Sequence, residues 1–248
     1  MYIILSGRLF SFINKEDNRN INQNILVGSV VNIICENDNG EISGGSGTII
    51  TDDGIILTNS HVIPQDEEYI LTGDTGCLVT IPNQQTGQPD EIYWANPVVI
   101  PELSDEYDLA YFEIYDVFVD EENQIWGEYP KIFKSIFSDE FGHDDICKSD
   151  TDNLGDSIRV FGYPQSSGGF VLTITEGIIS SFSDNGIILT SAKIDTGNSG
   201  GLAVDEKGCM VGVPVAVSEG TYQNMGVIIP TALVLEFSNK LGELNKNK

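Results

Sequence analysis

Basic residues are scarce in this chain: 12 lysines and arginines stand against 38 aspartates and glutamates, a formal net charge of −26 over 248 residues. A surface so balanced repels phosphate backbones and anionic headgroups, which excludes nucleic acid and acidic membranes as partners. Long apolar runs are missing too. No stretch reaches the ~20 residues that cross a bilayer, and Met1 to Phe10 lacks the basic start and full apolar run of a secretion signal. The location reads as cytoplasmic by default, and as secreted if a signal has been trimmed. Cysteines number four, Cys35, Cys77, Cys147 and Cys209, and their spacing fits no zinc motif. Their even count does not establish disulfides; Cys35 and Cys209, in or beside apolar strand-like runs, read as buried thiols. Histidines are scarcest of all, His61 and His143 alone. His143 with Asp144 and Asp145 falls short of a ligand set, so neither a metal nor another cofactor is expected.

What is present gains meaning from that scarcity. Gly197-Asn198-Ser199-Gly200-Gly201 sets a serine among glycines, where a sharp turn lets a carbonyl approach and backbone N–H groups converge. As a bare pattern it is G-x-S-x-G, but the α/β-hydrolases that use it need a histidine after the serine, and none follows Ser199. The triad order His, Asp, Ser remains. Thr48 to Thr58 reads as two β-branched strands joined by Asp52-Asp53-Gly54, which delivers His61 just beyond a rigid hairpin. Asp108 heads the apolar run Leu109 to Ile114, where a carboxylate can be shielded and turned toward an imidazole.

The chain reads as all-β. Runs rich in Val, Ile, Thr, Tyr and Phe at Val30 to Ile34, Thr48 to Ile50, Ile55 to Thr58, Ile158 to Phe161, Val171 to Thr175, Ile187 to Leu189 and Met210 to Val217 are divided by Gly, Asn and Asp turns. Helical periodicity is expected only near the C-terminus, from Thr231 to Leu241. That pattern excludes a subtilisin-like α/β fold, which would want the order Asp, His, Ser with Asp52 or Asp53 as the acid. About 250 residues suit one domain with a sizeable core.

Three blocks together, Gly45 to Val62, Asp108-Leu109-Ala110 and Gly197 to Val217, resemble those of the trypsin-like serine peptidases of the HtrA/Deg type. Phe161-Gly162-Tyr163-Pro164 and Thr175 to Ser180 extend the likeness, which spans about Ser29 to Leu235. The resemblance implies two six-stranded antiparallel β-barrels of the chymotrypsin kind with a short C-terminal helix. Residues 1–24 would then be an N-terminal extension, 25–241 the peptidase domain with an acidic insertion at about 116–152, and 242–248 a tail. It implies Ser199 as nucleophile, His61 as general base and acid, Asp108 as the residue holding the imidazole, and the N–H groups of Gly197 and Ser199 as an oxyanion hole. Substrates would be polypeptides. Relatives append a PDZ domain, which is not expected here because the chain ends soon after the C-terminal helix. Where digestive relatives carry an aspartate that pairs with a newly cut N-terminus, Asn198 carries no charge, so no maturation is expected and Ile25-Leu26-Val27-Gly28 reads as the run-up to the first strand.

By the same analogy Lys193, Ile194, Val215, Ala216 and Val217 would line the primary specificity pocket. The last four are small or apolar and favour a medium apolar side chain before the scissile bond, whereas Lys193 at the floor would favour an acidic one. The insertion, interleaving Asp120-Glu121-Glu122, Asp139-Glu140 and Asp144-Asp145 with Trp126, Tyr129, Phe133, Phe137 and Phe141, reads as a surface excursion that tucks its aromatics onto the second barrel. Two other functions fit the same residues. A silent binding module would have no physical need for His61, Asp108, Ser199 and Gly197 together, and an ester hydrolase would differ only in its ratio of ester to peptide turnover.

Overall fold

The computed structural model describes residues 22–36, 40–64, 76–98, 101–136, 153–216 and 225–246. His143, Cys147, Phe137, Phe141 and Val217 lie outside them. Twelve strands form two closed antiparallel barrels. The first runs β1 (Val30–Glu36), β2 (Ile42–Ile49), β3 (Ile55–Thr58), β4 (Cys77–Pro82), β5 (Pro89–Val98) and β6 (Ala110–Val117), in the spatial order β1-β2-β3-β6-β5-β4. The second runs β7 (Ser157–Gly162), β8 (Thr173–Phe182), β9 (Ile188–Thr190), β10 (Leu202–Val204), β11 (Met210–Val215) and β12 (Gly226–Pro230), in the order β10-β11-β12-β9-β8-β7. The expected architecture is the observed one.

The β2–β3 hairpin closes as its turn residues dictate. Gly54 adopts φ +95°, a left-handed conformation that glycine takes without a Cβ penalty, and Ile50 N–H reaches Ile55 O at 2.8 Å. All four residues of β3 are buried. β8 starts later and runs further than the expected Val171 to Thr175. Gly177, inside β8, marks a close approach: a Cβ there would lie 2.1 Å from Ala192 N.

The seam of the first barrel corrects the reading of Cys35 as a thiol. The β1–β4 register, Ile34 opposite Leu78, puts Cys35 opposite Cys77, and the two form a disulfide with Cα atoms 4.3 Å apart. Cys209 is disulfide-bonded as well. Both residues are buried as expected; apolar surroundings speak to burial and say nothing of a thiol facing them across a ladder.

Helices appear where none was expected. α1 (Gln23–Ser29) contains Ile25 to Gly28, so the run-up to β1, which starts at Val30, is helical; α1 is capped by Asn22 Oδ1, which accepts from Asn24 N–H at 2.9 Å. α2 (Pro101–Tyr107) opens on a proline, whose fixed φ suits a first helical position. The C-terminal helix α3 (Thr231–Lys246) runs past the expected Leu241.

α1 and α3 bind the barrels together. Leu26 and Val27 of α1, Val30 and Leu57 of the first barrel, Phe161, Leu202 and Val213 of the second, and Val234 and Phe237 of α3 share one buried cluster. Tyr163 OH crosses to Val30 O at 3.2 Å. α3 also reaches α2. Phe237 packs on Tyr107 and Tyr111 with ring centroids 5.8 and 5.3 Å away. Tyr107 OH donates to Glu236 Oε1 at 2.8 Å, and Lys240 Nζ to Glu106 Oε1 at 3.0 Å.

The described part of the insertion folds onto the first barrel, not the second. Phe133 is buried among Tyr93, Phe112 and Ile114, edge-on to Tyr93 at 5.3 Å. Main-chain bonds fix it there, Phe133 N–H to Asp52 O at 2.9 Å and Ile92 N–H to Trp126 O at 2.7 Å. The insertion continues directly from β6, so the barrel it leaves is the nearest apolar surface.

Candidate active site

The edge of β3 passes into a single 3-10 turn, Ser60–Val62, that carries His61. Val62 is buried and its methyls press toward Gly45 of β2, where a Cβ would come within 2.8 Å of one of them. The imidazole stands half-open, its side chain 44% exposed, with Nδ1 2.9 Å from both carboxylate oxygens of Asp108.

Asp108 ends α2. Its N–H returns to Ser104 O at 2.8 Å while its own φ is +51°, the left-handed position that closes many helices. Aspartate tolerates that region better than most side chains because its short polar group bonds locally. The carbonyl accepts from Asn59 Nδ2 at 2.8 Å. Oδ1 also accepts from Ser60 Oγ at 2.9 Å and from His61 N–H at 3.3 Å. The carboxylate thus has its geometry set by the three residues Asn59, Ser60 and His61. Asn59 and Ser60 went unnoticed in the sequence, where only their adjacency to His61 could have marked them.

Ser199 lies in a loop pressed against the first barrel. Its carbonyl accepts from Ser46 N–H at 2.8 Å, and it lies 3.0 Å from where a Cβ on Gly45 would be, so Val62 and Ser199 flank the same glycine. Gly200, at φ +84°, comes closer still: a Cβ would meet Thr58 Oγ1 at 2.1 Å and Ser46 O at 2.2 Å. No other residue fits there. Among the described residues the Ser199 hydroxyl is hydrogen-bonded to Ala216 N–H, at 3.0 Å, and not to His61. The residue as a whole is 4% exposed.

Asp195 to Asn198 form a turn closed by Asn198 N–H on Asp195 O at 2.9 Å, with Gly197 at φ +96°. Thr196 O accepts from Gln165 N–H at 2.8 Å, Gly197 O from Ser46 Oγ at 2.6 Å, and Asn198 O from Gly201 N–H at 3.1 Å. The Ser166 hydroxyl beside Asp195 holds its carboxyl below the usual aspartate range.

The other expected pocket residues separate. Lys193 is 70% exposed on its side chain and sits 3.6 Å from Asp195. Ile194 packs on β12, its Cδ1 2.6 Å from where a Cβ on Gly226 would lie, a contact the sequence did not announce. Val215 and Ala216 are half-buried beside Ser199. Among the described residues no three ligand-type side chains converge as a metal site would.

Known proteins resemble this chain in sequence and in fold. The family model of the trypsin-like peptidase domain matches residues 45–213. A probable periplasmic serine endoprotease, DegP-like, of Buchnera aphidicola is 25% identical over 215 residues, 82% of this chain and 37% of that protein. A chloroplastic Protease Do-like 2 of Arabidopsis thaliana is 35% identical over 116 residues, 42% of this chain and 19% of that protein. The chain therefore spans well under half the length of these relatives. The crystal structure of the serine endoprotease from Yersinia pestis superposes with a TM-score of 0.60 at 29% identity, over 90% of this chain and 67% of that one. With more than half its length matched by the family model, the chain belongs to the trypsin-like peptidase domain family.

Proposed function

We propose that the protein is a serine endopeptidase that works through an acyl-enzyme intermediate. The observation that carries this is the imidazole of His61 held by Asp108 at 2.9 Å on Nδ1. That bond leaves Nε2 to take a proton, and Val62, which follows His61, and Ser199 flank the same glycine, Gly45. In the reaction the Ser199 hydroxyl leaves Ala216 N–H, turns to His61 Nε2 and gives it the proton as Oγ bonds to the substrate carbonyl carbon. The carbonyl oxygen becomes an oxyanion and takes hydrogen bonds from Gly197 and Ser199 N–H. The C–N bond breaks and the amine leaves with the proton from His61. Water then repeats the sequence on the ester, regenerating Ser199. Ala216 N–H, exposed as Ser199 turns away, is available to pair with the substrate backbone.

A fluorophosphonate probe tests this on the chain with its N-terminus intact. Labelling is expected at Ser199, mapped by mass spectrometry, and lost in Ser199→Ala with casein cleavage; an unlabelled wild type overturns the assignment. Activity that required a cut before Ile25 would overturn the expectation that no maturation is needed.

The pocket favours an apolar residue before the scissile bond, because Ile194 lies on Gly226 and Lys193 turns to Asp195. A peptide panel varied at that position is expected to rank Val, Ala and Leu above Asp and Glu, and the reverse order would refute it. The disulfides at Cys35–Cys77 and Cys209 fit an oxidising compartment, in line with the periplasmic name of the Buchnera relative. Free thiols in the protein purified under non-reducing conditions would contradict that placement.

A further inference from the structure

The turn from Asp195 to Gly201 carries the two N–H groups assigned to the oxyanion, and its neighbours decide where they aim. In a trans peptide the C=O and the following N–H point in opposite directions. Whatever holds the carbonyl of Thr196 therefore sets the direction of Gly197 N–H. That partner is Gln165 N–H at 2.8 Å. The next carbonyl, Gly197 O, is held by Ser46 Oγ at 2.6 Å, and Ser46 Oγ itself accepts from Tyr163 N–H at 2.9 Å. Both peptides flanking Gly197 are thus tied, one to the second barrel just beyond β7 and one to β2 of the first. The fit leaves no slack: a Cβ on Gly197 would lie 2.3 Å from Tyr163 O and 3.2 Å from Gln165 N.

We propose that Gln165 N–H and the Ser46 hydroxyl are positioning groups for the oxyanion site, a two-point brace that keeps the Thr196–Gly197 peptide turned with its N–H toward the substrate. The inference rests on the serine-peptidase reading above. Were that peptide to flip, Thr196 O would replace a donor with an acceptor at the point where negative charge develops, and the donor's contribution to the transition state would be lost.

Gln165→Pro deletes the one donor, and its Cδ, standing where the N–H pointed, pushes Thr196 O out of place. Proline has no N–H. Gln165 opens a one-turn 3-10 helix, a position that accepts proline. Pro164, at φ −68° and ψ 142°, already has the extended conformation that a following proline demands. The probe is a fluorophosphonate, whose reaction forms the Ser199 Oγ–P bond, expels fluoride, passes the hydroxyl proton to His61 and lodges the phosphoryl oxygen at the oxyanion position. For Gln165→Pro, kinact is expected to fall by about 10- to 100-fold, with KI within about twofold of wild type and a melting temperature lowered by the lost hydrogen bond. Gln165→Ala, which restores the N–H, restores kinact. Should Gln165→Pro fail to fold, Ser46→Ala decides by the same split between kinact and KI. Wild-type kinact in the variant, or a loss confined to KI, overturns the brace. Failure of the wild type itself to label overturns the underlying reading instead.

Discussion

Asp108 combines a backbone demand with a chemical one, and the two can be separated. Its φ of +51° asks for a residue that tolerates the left-handed region, and asparagine meets that demand as well as aspartate does. Asparagine carries no charge to stabilise an imidazolium and can present its amide to the wrong tautomer of His61. Asp108→Asn is therefore expected to melt within a few degrees of wild type while kcat falls by about 10⁴-fold. A loss of stability with kcat retained would move Asp108 from chemistry to architecture. At this scale the sequence was partly legible. The order His61, Asp108, Ser199 follows from the position of two histidines, whereas Ser46, Asn59, Ser60 and Gln165 act through contacts between segments remote in the chain. Ser46 and Gly197 lie 151 residues apart, and no local pattern records such a meeting.

Among the elements, those whose local chemistry agrees with their tertiary setting could be read directly. β3 keeps its expected bounds, Ile55–Thr58, because an Asp-Asp-Gly turn fixes its start. α2 was hidden because seven residues give only two turns. Its buried pair, Leu103 and Tyr107, is a single i, i+4 repeat, too short to stand out as a period. The Cys35–Cys77 bridge was hidden because it depends on barrel closure, which sets β4 beside β1. Since it spans 42 residues of sequence, the chain-entropy account gives it about 4 kcal/mol of stabilisation. Replacing both cysteines with serine is expected to lower the unfolding free energy, measured in urea, by up to about that amount. No change would mean that the first barrel closes as firmly without it.

Taken whole, the molecule combines a large negative charge with buried phenols, and both act in the same direction at high pH. Burial pushes Tyr111 up to about 12 and raises Tyr93 and Tyr163 further. In the unfolded chain these groups ionise near about pH 10. The folded state therefore binds more protons between the two values, and stability present below about pH 10 is lost as pH rises through the folded pKa. Each tyrosinate formed also adds to a net charge already at −26 at pH 7. Melting temperature is expected to hold from neutrality to about pH 9 and to fall steeply above about pH 10, with the three buried phenols ionising together with unfolding. Ionisation of Tyr93, Tyr111 or Tyr163 in the folded protein, ahead of the transition, would contradict the burial of these rings.

The contact between α2 and α3 gives the site a place in time as well as in space. Asp108 is the cap of α2, and α2 rests on Phe237, Glu236 and Lys240 of the C-terminal helix. A ribosome delivers His61, Asp108 and Ser199 in that order, and only some forty residues later the helix that steadies the acid. On the function proposed above, a nascent chain holds its nucleophile before it holds the helix on which α2, and with it Asp108, rests.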